Sequence, residues 1–275
     1  MSTTPTPTDN RDIPVVLLCG GFGTRIREAS ESLPKPMIDI GGRPIVWHIM
    51  KTYSEFGFRR FVLCLGYKAD DIKDYFLRYR EHQSDFTVKL GSRDEPTFHV
   101  TPGADGIGGD EDWEVTCVDT GLETFTGGRL ARVAPFLDVD TFMLTYGDGV
   151  ADVDIAALLA AHRDHGLIGT VTAVHPTSRF GELQVDGGTV TTFAEKPMLN
   201  EGLVNGGYFV FERAFLDYVS LDAEMLESGA LQKLTADGQL GHFVHKGFWR
   251  GMDTYREYVE LNGLWDEGVA PWKIW

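Results

Sequence analysis

A chain of 275 residues with 43% hydrophobic and 24% charged residues can bury a substantial core and has the balance of a soluble globular α/β protein. Its net charge of −16, from 25 Lys+Arg against 41 Asp+Glu, argues against non-specific binding to nucleic acid or an anionic membrane, and it means any polyphosphate site must concentrate positive charge locally. No apolar run approaches a membrane span and the N-terminus has no hydrophobic signal core, so a cytoplasmic protein is expected.

Residues 1–12 are polar and rich in Pro and Thr, which predicts a disordered tail. No linker composition follows, so residues 13–275 are expected to form a single domain. Val15 to Cys19 is an apolar run that predicts a buried parallel strand. It leads into Gly20-Gly21-Phe22-Gly23-Thr24-Arg25, where three glycines allow a tight turn and close approach to a ligand. Successive backbone N–H groups in such a turn form an anion-binding nest, and Arg25 and Lys35 add cations on either side of a proline-marked loop. That combination suits a nucleoside triphosphate. The loop is not a Walker A loop, because no Lys-Ser or Lys-Thr follows the glycines. It is not a dinucleotide fingerprint either, because Ile26 takes the third glycine position.

Pro44 to Gly57 has apolar residues at helical spacing between Pro and Gly. Arg60 to Leu65 reads as a strand and Ala69 to Arg80 as a helix. Strand–helix–strand–helix predicts a doubly wound sheet with ligands at the C-terminal ends of its strands. Gln83 to Trp113 is less regular: Phe86-Thr87-Val88 and Phe98-His99-Val100 suit short strands, and Gly103 to Asp112 suits a solvated acidic loop. Val115 to Val118 predicts a strand, a loop then reaches Thr126-Gly127-Gly128-Arg129 with a helix following through Phe136, and Thr141 to Tyr146 is a further strand closed by Gly147-Asp148-Gly149. A carboxylate at that strand end faces the ligand crevice. Asp154 to His165 is a helix ending at Gly166. Strands are then expected at Thr170 to Val174, Glu182 to Val185, Thr189 to Ala194 and Tyr208 to Phe211, and a helix from Tyr255 to Trp265. The aromatic tail APWKIW is expected to pack onto the body, with a subunit contact as the alternative. Cys19, Cys64 and Cys117 sit in apolar runs and are expected as reduced, buried thiols, not as a disulfide frame or zinc site.

Nucleotidyl transfer rests on positioning and electrostatics, and this chain offers each part. Asp148 and Asp253 are candidate Mg2+ ligands, and Arg25 and Lys35 can neutralise a triphosphate and its leaving pyrophosphate. Lys196, in Glu195-Lys196-Pro197, can hold the phosphate of an acceptor, while Glu195 and Asn205 can bind sugar hydroxyls.

The GGxGTR loop followed by PKP resembles the signature of sugar-1-phosphate nucleotidyltransferases, and the resemblance runs from Val15 to Trp275. Within that family, the stretches GGRPIVWHIMK, LGYKADDIKDYF, TGGRLARV, TYGDGVADVDI, RFGELQV, VNGGYFVF and GFWRGMDT look most like the cytidylyl branch acting on glucose 1-phosphate. Departures are Cys19, where many relatives have alanine, and Met225 to Leu231, which is less rich in tryptophan and glutamate than that branch. The resemblance implies a Rossmann-like mixed sheet of the nucleotide-diphospho-sugar transferase type, without a β-helix domain, its nucleotide-binding half over about 13–150 and its sugar-binding and C-terminal half over about 151–275. It implies a nucleotide site at Leu18, Cys19, Gly20, Gly21, Phe22, Gly23, Thr24, Arg25, Lys35, Thr124, Arg129 and Gly147, metal ligands Asp148 and Asp253, and a sugar phosphate site at Gly181, Glu195, Lys196 and Asn205. It further implies CTP and glucose 1-phosphate as substrates, Mg2+ as cofactor, a homo-oligomer, and a product used in lipopolysaccharide or other surface-glycan synthesis. Thymidylyl or uridylyl transfer to a related sugar phosphate is the nearer alternative. A non-catalytic nucleotide-sugar sensor is the other, and it should have lost one of Lys35, Asp148, Lys196 or Asp253, all of which are present.

Overall fold

The structure, a computed structural model, describes residues 9–23, 26, 33–92, 94–99, 111–176, 182–186, 189–194, 202–221 and 224–275. Its strands are β1 (Pro14–Leu18), β2 (Asp39–Ile40), β3 (Arg43–Pro44), β4 (Arg60–Leu65), β5 (Asp85–Thr87), β6 (Thr97–His99), β7 (Glu114–Asp119), β8 (Thr141–Tyr146), β9 (Gly149–Ala151), β10 (Gly169–Val174), β11 (Glu182–Asp186), β12 (Thr189–Ala194), β13 (Val204–Glu212), β14 (Leu240–His245) and β15 (Trp249–Gly251). Its α-helices are α1 (Ile45–Glu55), α2 (Ala69–Leu77), α3 (Tyr79–Gln83), α4 (Thr126–Val133), α5 (Ile155–His165), α6 (Ala230–Ala236) and α7 (Tyr255–Asp266).

Seven strands form one sheet in the order β14-β10-β13-β8-β1-β4-β7. β1 lies in its middle, parallel to β4 on one side and to β8 on the other. Helices cover both faces, so Val15, Val16 and Leu17 are wholly buried, alternating between the two hydrophobic clusters that flank the sheet. This is why the strand reads as an unbroken apolar run. From β1 the chain winds outward through β4 and β7, then returns to lay β8 against the other side of β1. The reversal leaves a crevice at the C-terminal ends of β1 and β8, where doubly wound sheets bind ligands. β13 runs antiparallel to both β8 and β10, which makes the sheet mixed. The architecture is Rossmann-like, and no β-helix occurs among the described residues.

Several elements differ from their expected form. The expected Ala69–Arg80 helix breaks at Arg78 into α2 and α3. The expected helix through Phe136 is α-helical only to Val133, and Ala134–Phe136 tightens into a 3-10 turn carrying Pro135. β13 begins at Val204, so Asn205, Gly206 and Gly207 belong to the strand and not to a preceding loop. β14 was not expected, and neither was α6. The tail boundary also shifts. Residues 9–12 are anchored, because Asn10 donates to the Phe56 carbonyl and Arg11 pairs with Asp112. Trp272 is fully buried, so the aromatic tail packs onto the body. Cys19 and Cys64 are buried free thiols and Cys117 is a half-buried one.

Candidate active site

The crevice is a cleft of about 680 Å³. Of the residues singled out from the sequence, it brings together Leu18, Cys19, Gly20, Gly21, Phe22, Gly23, Lys35, Thr124, Arg129, Gly147, Asp148, Asn205 and Asp253. Thr24, Arg25, Gly181, Glu195 and Lys196 lie outside the described residues.

Two of the glycines are required by close approach. A Cβ on Gly20 would lie 2.1 Å from the Arg129 guanidinium, and one on Gly147 would lie 2.9 Å from both Cys19 Sγ and the Leu18 carbonyl. The loop after β1 is thereby pressed against the loop after β8, with Gly147 N–H donating to Leu18 O at 3.2 Å.

Arg129 is buried, with only 4% of its surface exposed. Its Nη1 donates to Leu65 O, Thr120 Oγ1 and Gly121 O at 2.7–2.9 Å, and its Nη2 donates to Gly20 O at 2.9 Å and Leu122 O at 3.3 Å. One guanidinium thus ties together the loops that follow β1, β4 and β7. Buried carbonyls need such partners, and a planar fork of five donors can supply several at once. Arg129 helps shape the glycine loop after β1 through its backbone. Thr124 in turn accepts from Arg132 Nη1 at 2.7 Å.

The charged centre is built by two local devices. Pro34 and Pro36 frame a 3-10 turn, Lys35–Met37, that buries the Lys35 stem. β9 pairs antiparallel with β15, Gly149 opposite Gly251, which brings Asp148 and the segment after Gly251 to one place. Met252 N–H donates to Asp148 O at 2.8 Å. Thr254 and Glu257 form a capping box at the start of α7, and the Glu257 carboxylate also accepts from Asp253 N–H at 2.7 Å. Asp253 is therefore held on the doorstep of a capped helix. Lys35 Nζ lies 2.7 Å from Asp148 Oδ2 and 2.5 Å from Asp253 Oδ1. Burial pulls the Lys35 ammonium down. The charge of Asp148 and the hydrogen bonds that Lys35 donates to both carboxylates outweigh it, so its pKa is raised and the group stays charged. The two Asp side chains keep 39% and 37% of their surface open to the cleft. The two carboxylates converge on the Lys35 ammonium and are reachable from solvent, so they could also hold a divalent cation, which takes hard oxygen donors. No cluster of three or more metal-ligating side chains occurs among the described residues.

A second polar group lines the same cleft and was not picked out from the sequence. Tyr146, at the end of β8, donates to Glu227 Oε1 at 2.5 Å and accepts from Asn205 Nδ2 at 2.9 Å. Glu227 lies in the stretch Met225 to Leu231, which has no regular period, so only the folded chain shows where it goes.

The comparisons with known proteins agree with this geometry. The family model described as nucleotidyl transferase matches residues 14–265. A glucose-1-phosphate cytidylyltransferase of Salmonella typhi is 46% identical over 94% of this chain and 98% of its own length. A probable glucose-1-phosphate cytidylyltransferase of Bacillus subtilis is 40% identical over 94% of this chain and 99% of its own. Among solved structures, HddC from Yersinia pseudotuberculosis complexed with GMP-PN superposes with a TM-score of 0.66 at 23% identity, covering 92% of this chain and 99% of that one. The inositol-1-phosphate CTP transferase from T. maritima superposes at 0.63 with 17% identity, covering 96% and 100%, and so shares the fold. The chain belongs to the nucleotidyl transferase family.

Proposed function

We propose that the protein transfers the cytidylyl group of CTP to α-D-glucose 1-phosphate, giving CDP-glucose and pyrophosphate. The observation that carries this reading is the convergence of Lys35, Asp148 and Asp253 in the switch-point cleft of a chain 46% identical, over nearly its full length, to a protein of that activity. A non-bridging oxygen of the sugar phosphate attacks the α-phosphorus of CTP in line. The new P–O bond joins the two phosphates, and the bond to the β-phosphate breaks and releases pyrophosphate. The attacking phosphate is already ionised at neutral pH, so no general base is needed.

The glycine loop offers backbone N–H groups to the triphosphate, and Arg25 and Lys35 balance its charge. Arg129 and Thr124 shape the base pocket, in which fixed donors and acceptors separate cytosine from uracil and thymine. Lys196 is assigned to the acceptor phosphate, and Gly181, Glu195 and Asn205 to the sugar. Asp148 and Asp253 are the residues that would hold Mg2+, which when bound supplies charge neutralisation between the triphosphate and the incoming phosphate. We also assign the protein to the cytoplasm as a homo-oligomer. No helix among the described residues is long and apolar enough to cross a membrane.

Pyrophosphate release across a matrix of nucleoside triphosphates and sugar 1-phosphates tests the reading. CTP with glucose 1-phosphate is expected to turn over fastest. Equal rates with dTTP or UTP would replace the cytidylyl assignment, and no turnover with any pair would favour a sensor.

A further inference from the structure

Glu227 sits in a segment that departs from the pattern expected for the family, yet the backbone before it is held. Gly127 N–H donates to Glu224 O at 3.2 Å, and Leu226 N–H donates to Thr126 Oγ1 at 2.8 Å. The Leu226 side chain is fully buried in the cluster that contains Leu130 and Phe215. The backbone that carries Glu227 is thus pinned to the start of α4.

Its carboxylate then receives two hydrogen bonds. Thr126 Oγ1 donates to Oε2 at 3.1 Å, and the Tyr146 hydroxyl donates to Oε1 at 2.5 Å. Tyr146 has one O–H, so on its other side it must accept, and Asn205 Nδ2 donates to it at 2.9 Å. Asn205 Oδ1 accepts from Gly207 N–H at 2.8 Å. The donors along this chain share one direction, fixed at one end by the Gly207 N–H, which can only donate, and at the other by the Glu227 carboxylate, which accepts. The Tyr146 ring is itself seated against backbone. Gly207 has φ +81°, and a Cβ there would lie 2.6 Å from the ring. Burial, with the hydrogen bond to Glu227, pushes the Tyr146 phenol well above its usual range, so it remains a donor.

Asn205 is exposed to the cleft. Its amide has one N–H and one oxygen lone pair left for a ligand, and a flip would exchange them. A hexose differs from its epimers only in where a hydroxyl points, so the sense of this amide decides what it reads. We propose that Glu227 is a positioning residue for the sugar acceptor, acting through Tyr146 to fix the sense in which Asn205 presents its amide to the hexose. This rests on the reading that Asn205 lies at the acceptor end of the site.

The test is steady-state kinetics on Asn205→Ala, Tyr146→Phe, Glu227→Ala and Glu227→Gln, with unfolding midpoints recorded alongside. Tyr146→Phe removes one oxygen and keeps the ring, so it carries the test if the alanine at 227 destabilises the fold. Tyr146→Phe and Glu227→Ala are each expected to raise KM for glucose 1-phosphate by about tenfold, the scale of one hydrogen bond to a charged group. KM for CTP should stay within about twofold, because the chain leads to Asn205 and not to the triphosphate loop. Preference for glucose 1-phosphate over galactose 1-phosphate should fall. Glu227→Gln, which keeps one acceptor for Tyr146, should recover part of the loss, and the Tyr146/Glu227 double variant should be little worse than the worse single. An equal rise in both KM values would overturn the proposal, as would a change in CTP alone. If Asn205→Ala raises the acceptor KM while Tyr146→Phe and Glu227→Ala do not, the relay is wrong and the acceptor site stands. If Asn205→Ala leaves the acceptor KM unchanged, the acceptor-end reading itself fails.

Discussion

Lys35 lies between two carboxylates, and one ammonium cannot neutralise both, so the Lys35–Asp148–Asp253 group keeps a net negative charge that faces the cleft. That residual charge can attract a further cation, while the ammonium between them lets the two Asp residues lie so near each other. Asn in place of either Asp keeps the shape and removes the charge. Asp148→Asn and Asp253→Asn are each expected to lose most turnover, with circular dichroism unchanged. Both act through the same centre, so the double variant should be little worse than either single. Near-normal turnover of both singles in saturating magnesium would reduce Asp148 to a turn former and Asp253 to a helix-entry residue. Lys35 and Asp148 were legible as candidates because each sits next to a backbone constraint visible in the sequence, prolines for Lys35 and glycines for Asp148, whereas the Thr254–Glu257 box beside Asp253 came from the fold. Arg129 was legible as a residue of the site but not in its contacts. Its five acceptors are mostly carbonyls from loops far apart in sequence, and no pattern of residue types records them.

Among the elements, the parallel strands were readable from their apolar runs, because burial on both faces removes the polar residues that would blur them. β14 was not, since Leu240–His245 is only half buried, mixes Gly and two His with its apolar residues, and takes its place at the sheet edge from pairing with β10. Glu227 escaped for a related reason: its position depends on Leu226 reaching the core and on hydrogen bonds to α4, which are tertiary facts. The capping box shows how an element serves the site. Thr254 Oγ accepts from Glu257 N–H, and the Glu257 carboxylate returns bonds to Asp253 and Thr254 N–H. Thr254→Ala removes one half of this box and should cost about 1 kcal/mol of stability. Because Asp253 immediately precedes the cap, the same change should raise the magnesium concentration needed for half-maximal rate. A lowered unfolding midpoint with an unaltered magnesium requirement would separate the helix start from the proposed metal site.

At the scale of the whole molecule, the first and last thirds of the chain are locked together around one histidine. His48 on α1 is fully buried and touches the rings of Trp47, Trp265, Trp272 and Trp275. Trp272 Nε1–H donates to His48 Nδ1 at 3.4 Å, so that nitrogen carries no proton, and Nε2–H donates to Ile40 O at 2.9 Å. The imidazole is neutral in the fold. Burial is the largest cause, the carbonyls of Ile40 and Arg43 oppose it, and the charges of Arg43 and Lys273 add to it, leaving the pKa lowered to about 4. An unfolded His titrates near 6.5, so below that pH the unfolded chain binds a proton that the folded chain refuses. The sign follows: stability is full above pH ~6.5 and falls as the pH drops from 6.5 toward 4, by about 2 kcal/mol between pH 7 and pH 5. His162, buried at the far end of the sheet and also lowered by burial, adds to the fall in the same direction. Urea unfolding at pH 7 and pH 5 should therefore show a loss in the native protein. His48→Gln should be less stable at pH 7, with its two ring hydrogen bonds disturbed, but should lose less between the two pH values, because the group that refuses the proton is gone. If the native protein and His48→Gln lose the same stability between pH 7 and pH 5, the acid sensitivity lies elsewhere, and the aromatic cluster holds the chain ends together without setting their pH dependence.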